Sequence, residues 1–531
     1  MTRNLLEHNW LTLVSHHGST NQATPTGISD QSIRDLSAPR ADFKGAMYQF
    51  LIALLQTTCT PDDRKGWLEW WNHPPTANEL KQAFVPYREA FVLDSAKGRP
   101  AFMQDLNMLD GEPKNISALL IEAPGGKTLR DNLDHFVKRG SIEELSPWWA
   151  AVALFTLQIN APSGGVGHRV SLRGGGPLTT LVLPPEDNSH DTLWHRLWLN
   201  ILTREELSKL PGNLQLTDSA AIFPWLAKTR TSEKKGMETW PEQVHPLQMY
   251  WCMPRRIRLD WDHLERGNCD MDGKPSNELL TGFHTKNYGI NYSGSWEHPL
   301  TPYVIEADKE SLSIKGQPGG LGYRHWLGLV LDDRVGKQLK VPATVVRAWR
   351  KRYDWLDRGT FEPRLWAFGY DMDNMKARCW YEAVMPIFNL DNDTQREDIH
   401  VNALKMVHAA GDALKTLKSA LKAAWFKRPK DAKGDISFID ANFWSATEPA
   451  FYNLLRQQVE CIKANDGDKA RALLAQWRSE LEQNATNLFD QYALSNLNED
   501  GDLRRVVLAR DGKSGLLHYL RGSKILKQLA V

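Results

Sequence analysis

Hydrophobic positions follow two rhythms along this chain, and the change falls near residue 390. Before it, apolar runs are short and broken by turn residues. Arg40–Thr58 (RADFKGAMYQFLIALLQTT) is an exception, because Phe43, Met47, Phe50, Leu51, Leu54 and Leu55 recur near helical spacing and predict a helix. Leu178–Leu183 (LTTLVL) follows a glycine-rich loop and reads as a strand, and the alternating aromatic and polar residues of Thr281–Tyr303 predict a hairpin. The acidic stretch Asp391–Asp398 (DNDTQRED) marks a linker and a helix start. Beyond it, Leu404, Val407, Gly411, Leu414, Leu417, Leu421 and Trp425 form one helical stripe. Phe451, Leu455, Val459 and Ile462 form a second, and Leu473, Trp477, Leu481, Leu488 and Tyr492 a third. A broken fourth runs from Leu503 to Leu529, interrupted at Gly512 and Gly515. Four antiparallel helices with short connections make a bundle. The pattern predicts an α+β chain: a large irregular mixed α/β domain over residues 1–390, then a C-terminal four-helix bundle over residues 391–531.

Composition acts mainly by exclusion. A chain of 531 residues with 41% hydrophobic and 24% charged residues is globular rather than disordered, and long enough for two large domains. Lys+Arg 65 against Asp+Glu 64 leaves a net charge of +1, so any nucleic-acid site must arise from local clustering. The five cysteines (Cys59, Cys252, Cys269, Cys379 and Cys461) are scattered and odd in number, which argues against a secreted disulfide scaffold. None forms a CxxC pair of the kind that holds structural zinc. The start MTRNLLEHNW has no signal-peptide core, and the longest apolar runs, such as Trp148–Leu157, fall well short of the ~20 residues of a membrane span. The expected location is cytoplasmic, without membrane contact.

Candidate chemistry is sparse. APGGKT (Ala123–Thr128) imitates a phosphate-binding loop, but Ile121 stands where that motif needs glycine. NCDMDG (Asn268–Gly273) imitates a calcium loop, yet Leu279 occupies the bidentate position and Pro275 breaks the register, so a polar turn fits better. His16 and His17 read as solvated. No nucleophile elbow or metalloprotease helix is visible, but triads assemble from distant positions, so the residues alone leave catalysis open while pointing to neither cofactor nor metal. The enzymatic alternative is a stand-alone metal-dependent nuclease or NTPase built on His263, Asp270 and Asp272 or on the PGGKT loop.

Segregated basic charge does stand out. Arg334–Tyr353 carries seven basic residues and no acidic one, and Asn402–Lys433 carries eight basic residues against Asp412 and Asp431. Such clustering suits a phosphate-contacting surface, with Lys415, Lys418 and Lys422 as DNA-backbone contacts, although a solvated helix face shows the same charge. The loop Pro162–Pro177 (PSGGVGHRVSLRGGGP) holds six glycines, a backbone able to approach a ligand closely; a plain flexible turn is the alternative.

In order, these segments resemble the CasA family, the large subunits of type I-E CRISPR Cascade surveillance complexes. The resemblance rests on NLLEHNW (Asn4–Trp10), PRADFKGAMYQFLIALLQ (Pro39–Gln56), the glycine loop with SLRGGGPLTTLV, TGFHTKNYGINYSGSWEHP (Thr281–Pro299), HWLGLVL (His325–Leu331), WAFGYDMDN (Trp366–Asn374) and the terminal helices. It spans nearly the whole chain. It implies a non-catalytic subunit that recognises the protospacer-adjacent motif (PAM) in double-stranded DNA, starts strand separation and later helps recruit a helicase–nuclease. The implied partners are the other Cascade subunits, the 5′ handle of a guide RNA and the target duplex. A basic RNA-binding scaffold that does not read the PAM is the other alternative.

The resemblance also assigns residues. The family's glycine loop falls on Gly164, Gly165 and Gly167, and backbone without Cβ atoms can enter a minor groove ~6 Å wide. Its minor-groove lysine aligns with Asn287, with Lys286 immediately before it; either fills the role, Asn287 without the charge. Its glutamine wedge aligns with Asn374, flanked by Asp373 and by Met375, whose apolar side chain suits unstacking. Phe136 matches the aromatic that meets the guide-RNA handle, with Lys138 and Arg139 placed for phosphates; a core role for Phe136 is the alternative. Many members carry four cysteines in the region of residues 260–274. Here only Cys269 remains, so the resemblance implies no zinc and a turn closed by ordinary hydrogen bonds.

Overall fold

The apolar run from Ala41 to Thr58 forms a helix buried on almost every side, not on one face alone. The reason is its neighbours. Phe50 lies edge-on to Trp10, Phe91, Phe102, Phe155 and Trp251, with ring centroids 5.7–5.9 Å apart. Such edge-to-face pairs add to the area they bury. A second helix, Pro147–Asn160, starts at Pro147 with the Ser146 side chain capping Trp149 N, and its Trp149 stacks on Phe43.

In this computed structural model the chain divides into two units: Met1–Gly316 with Gly336–Glu382, and Gln317–Val335 with Ala383–Val531. The structure describes residues 3–94, 98–124, 140–165, 167–186, 188–356, 361–373, 376–431, 433–494, 502–527 and 529.

The first unit is mixed α/β. The strand expected at Leu178–Leu183 is present as Thr179–Leu183, fully buried and antiparallel to Arg364–Asp373, from Arg364 opposite Leu183 to Phe368 opposite Thr179. Lys376–Pro386 lies on the other side of Arg364–Asp373. The hairpin expected over Thr281–Tyr303 does not form. Gly282–Lys286 pairs instead with Arg256–Leu259, placing Lys286 opposite Arg256, and with Lys114–Asn115. Tyr288 at φ +61 then turns the chain, and Gly289 lies so close to Pro254 O that a Cβ would sit 2.0 Å from it. Both edges of Gly282–Lys286 are thus taken, by Lys114–Asn115 and by Arg256–Leu259, and no edge is left for a returning strand.

The second unit is helical, and the fold class is mixed α/β followed by a C-terminal helical region, as the periodicity indicates. Its long helices are Asp393–Trp425, Ser437–Lys463 and Gly467–Phe489. Asn392 caps the first and Asp466 the third through side-chain acceptors. The fourth stretch is broken into Leu503–Asp511, Leu516–Gly522 and Lys524–Lys527. The first stripe differs from expectation. Its early buried positions are Ile399, Ala403, Met406, Ala409 and Ala410, while Leu404 and Val407 are only partly covered. Small alanines allow close helix approach, and Trp477 fills the space by donating to Met406 O at 2.9 Å.

Gln317–Val335, well before residue 390, also clusters with the helices. Tyr323 is the reason. Its ring stacks on Phe451 at 4.3 Å and its hydroxyl pairs with Thr447 at 2.8 Å.

Candidate nucleic-acid interface

Gly164, Gly165 and Gly167 lie in a tight loop after the Pro147–Asn160 helix. Gly164 N donates to His168 O and His168 N to Gly165 O, each at 3.3 Å. Gly165 has φ +83, and an added Cβ would meet nothing within 4 Å. Gly167 has φ +75 and stands under different pressure, since a Cβ there would lie 2.9 Å from Asn287 Cβ and 3.0 Å from the Tyr288 ring. Tyr288 N donates to Gly167 O at 2.7 Å. The glycine loop and the segment bearing Lys286 and Asn287 therefore touch, although they are remote in sequence.

The two finger candidates differ in setting. Lys286 ends its strand and is exposed, while Asn287 is half-buried with its Cβ against the glycine loop. Tyr288 is pinned in its left-handed conformation from behind. Ser232 N donates to Tyr288 O at 3.1 Å, Ser232 Oγ to Gly289 O at 2.7 Å, and Arg169 Nε to Ser232 Oγ at 2.7 Å. The Arg169 guanidinium lies 5.9 Å from the Tyr288 ring centroid. A backbone held this way away from its ordinary basin is pre-organised.

The second half of the glycine-rich run has its own role. A Cβ on Gly175 would lie 2.8 Å from Pro162 Cα, and one on Gly176 would lie 2.4 Å from Met372 Cγ. Gly175 thus packs against the entrance of the glycine loop, and Gly176 against the strand Arg364–Asp373. At the end of that strand Asp373 is exposed. Arg378, from the following strand, donates to buried Asp371 at 2.6 Å and lies 3.8 Å from Asp373. Asn374 and Met375 lie outside the described residues, as do Phe136, Lys138, Arg139 and the PGGKT residues beyond Pro124.

In the helical unit, Lys415 is exposed and Lys422 partly so. Lys418 is already engaged, with Nζ 2.6 Å from Asp440 Oδ2. It is not the freely available cation that its place in the charge run suggests.

The residues of the enzymatic alternative are occupied in turns. Asp270 Oδ2 accepts from Glu143 N at 2.7 Å and Glu144 N at 2.8 Å, Asp272 Oδ1 accepts from Lys274 N at 3.2 Å, and His263 pairs with Asp260 at 2.8 Å. Cys269 is buried and accepts from Ser146 N at 3.3 Å. Among the described residues no group of three His, Cys, Asp or Glu side chains is placed to hold a metal ion, and no helix is long and apolar enough to cross a membrane.

Several residues of this region escape sequence reasoning. Arg169 carries a signal only as a cation beside glycines. Ser232 carries none, and the motifs that contain Tyr288 and Gly175 do not reveal their contacts, which join distant segments.

The architecture is that of large CRISPR-associated proteins solved from several bacteria. Thermobifida fusca Cse1 superposes over 100% of this chain and 99% of its own, with TM-score 0.74 and 16% identity. Thermus thermophilus CasA covers the same shares at TM-score 0.66 and 16% identity. A chain of a CRISPR RNA-guided surveillance complex matches 98% of this chain and 99% of its own, at TM-score 0.64 and 15% identity. The profile of CRISPR-associated protein Cse1 matches residues 4–488, and the chain belongs to that family.

Proposed function

We propose that this protein is the non-catalytic large subunit of a cytoplasmic, RNA-guided type I-E Cascade complex. It recognises the PAM in double-stranded DNA, initiates strand separation and helps recruit the helicase–nuclease in antiviral defence. Base pairing to the guide reads the target, and this subunit reads the short flanking motif. The observation that carries the reading is the contact of Gly167 with Asn287 and Tyr288, because it joins the bare backbone of the glycine loop to the segment that follows exposed Lys286. Minor-groove readers use Lys and Asn side chains, and glycine backbone allows close approach to a ligand. Lys286 is the finger in this reading, and Asn287 its support beneath the glycine loop. Asp373, Asn374 and Met375 form the wedge, and Phe136, Lys138 and Arg139 meet the guide-RNA handle.

The test is co-purification with guide RNA and the other Cascade subunits, followed by binding to a duplex library with randomised flanks. Recovery of a restricted set of flanks is expected. Binding indifferent to the flank favours the RNA-binding scaffold instead. Hydrolysis of DNA or ATP by the isolated chain, lost on changing His263, Asp270 and Asp272, favours the enzyme.

The basic helix face gives a graded prediction. Removing one lysine–phosphate interaction should flatten the slope of log affinity against log salt by about 0.9. Replacing Lys415, Lys418 and Lys422 together with Ala should lower the slope by about 1.8, since Lys418 is held by Asp440. Lys418→Ala alone should leave it unchanged. A triple variant with the parent slope would mean this face is merely solvated.

A further inference from the structure

Gly164 lacks a Cβ for a reason that lies beneath it. A Cβ there would sit 2.6 Å from Arg255 Nη1 and 3.0 Å from Nη2. The guanidinium floors the glycine loop at Gly164 and donates from Nη2 to Pro162 O at the loop's entrance. Its backbone is fixed in turn by Gln158, whose Oε1 accepts from Arg255 N at 2.9 Å and whose Nε2 donates to Arg255 O at 3.0 Å. Arg255 is only 8% exposed, and its Nε finds no hydrogen-bond partner among the described residues.

The buried arginines nearby behave differently. Arg256 Nε lies 2.6 Å from Asp105 Oδ2 and is neutralised. Arg173 lacks a carboxylate but spends its donors on Thr179 Oγ1, Thr301 Oγ1 and Gln49 Oε1 at 2.8–3.1 Å. Burial pushes the Arg255 pKa down to about 10, with no carboxylate acting against it. The adjacent His168 is pushed down to about 4 by its own burial and by Arg255 and Lys114, so it stays neutral and supplies no counter-charge. A buried cation with no counter-charge is strongly unfavourable. Its most economical counter-ion is a polyanion arriving at the loop above it.

Resting on the reading of this loop as a minor-groove reader, we propose that Arg255 is its positioning residue. It holds the loop at Pro162 and Gly164, and its charge is completed by the phosphodiester backbone of the bound duplex. Binding and loop placement are then coupled: the phosphates that compensate Arg255 are those that a correctly placed loop brings near. A duplex without the motif does not seat the loop and gains little from Arg255.

The experiment compares Arg255→Met and Arg255→Lys in the assembled complex on two duplexes that differ only in the flanking motif. A charged hydrogen bond of this kind is worth about tenfold in binding. Arg255→Met should therefore lose about tenfold on the motif-bearing duplex and almost nothing on the other, collapsing their ratio by the same factor. Its melting temperature should hold or rise, because an uncompensated buried charge has been removed. A merely structural role would instead lower the melting temperature and leave the ratio untouched. Arg255→Lys keeps the charge but not the planar fork, and should give an intermediate ratio. A parental ratio in Arg255→Met, or an equal loss on both duplexes, overturns the inference. Should Arg255→Met fail to assemble, Arg255→Lys decides in the same way: an intermediate ratio supports it and a parental ratio overturns it. Gly165→Asp run in parallel separates the levels. If that variant binds normally, the loop reading itself falls and takes this inference with it. If it is crippled while Arg255→Met keeps its ratio, only the role of Arg255 falls.

Discussion

Replacing Gly165 with Asp should all but abolish capture of motif-bearing duplex by the assembled complex while leaving the fold intact. A side chain at this position projects into open space, with nothing within 4 Å of its Cβ. The backbone is left-handed at φ +83, a conformation that Asp and Asn tolerate better than most residues. The folding cost is therefore confined to local strain of about 1 kcal/mol. The binding cost is larger, because the new carboxylate would face duplex phosphates across a few ångströms. Juxtaposed like charges cost several kcal/mol at an interface, and each 1.4 kcal/mol is tenfold, so a loss of about a hundredfold is expected. Gly165→Asn separates charge from bulk. It shares the backbone preference and shape but carries no charge, and it should retain most of the affinity. Titration of labelled duplex checks both variants, with thermal melting as the control for folding. Parent-like affinity in Gly165→Asp would remove the glycine loop from the interface.

Local periodicity makes much of the fold legible. The Ala41–Thr58 helix, the Thr179–Leu183 strand and the terminal helices follow from spacing alone, because each is decided by its own residues. The Thr281–Tyr303 segment misleads because alternation says that a segment pairs, not with what. Gly282–Lys286 finds its partner in Arg256–Leu259, a segment that precedes it in the chain. Arg256 is buried only because Asp105, far back in the chain, neutralises it. The same limit hides Gln317–Val335, whose place depends on a pocket for Tyr323 formed by Thr447 and Phe451. In the candidate interface, Gly164, Gly165, Gly167, Lys286 and Asn287 are legible as an ordered set of short motifs. Their mutual contact is not, and neither is Arg255, since nothing in PRRIRL marks one arginine as lying under a glycine loop. Lys418 shows the reverse error: a charge run reads as free cations, and only the fold reveals the carboxylate of Asp440.

A double change of Asn374 and Met375 to Gly should leave duplex capture largely intact and slow the opening of the target. The strands that flank these two residues, Arg364–Asp373 and Lys376–Pro386, are firmly held, so their pairing does not depend on the substituted side chains. Tyr370 lies edge-on to Trp380 at 4.9 Å, Arg378 donates to buried Asp371, and Met372 packs where Gly176 has no side chain. In the function proposed above, capture draws on the glycine loop, Lys286 and the basic faces, all of which the variant keeps. Opening the first base pair requires something inserted into the stack, and unstacking costs a few kcal/mol per step. Two glycines offer nothing to insert, so guide–target pairing should slow by about two orders of magnitude, the rate equivalent of roughly 3 kcal/mol. A duplex whose first few pairs beside the motif are already unpaired should restore the parent rate, because that cost is met in advance. Stopped-flow fluorescence of a base analogue in the first pairs measures both. Opening of intact duplex at the parent rate would place the wedge elsewhere. A slow variant that pre-melting does not rescue would show that the change disturbs docking, and the assignment of Asn374 would fail.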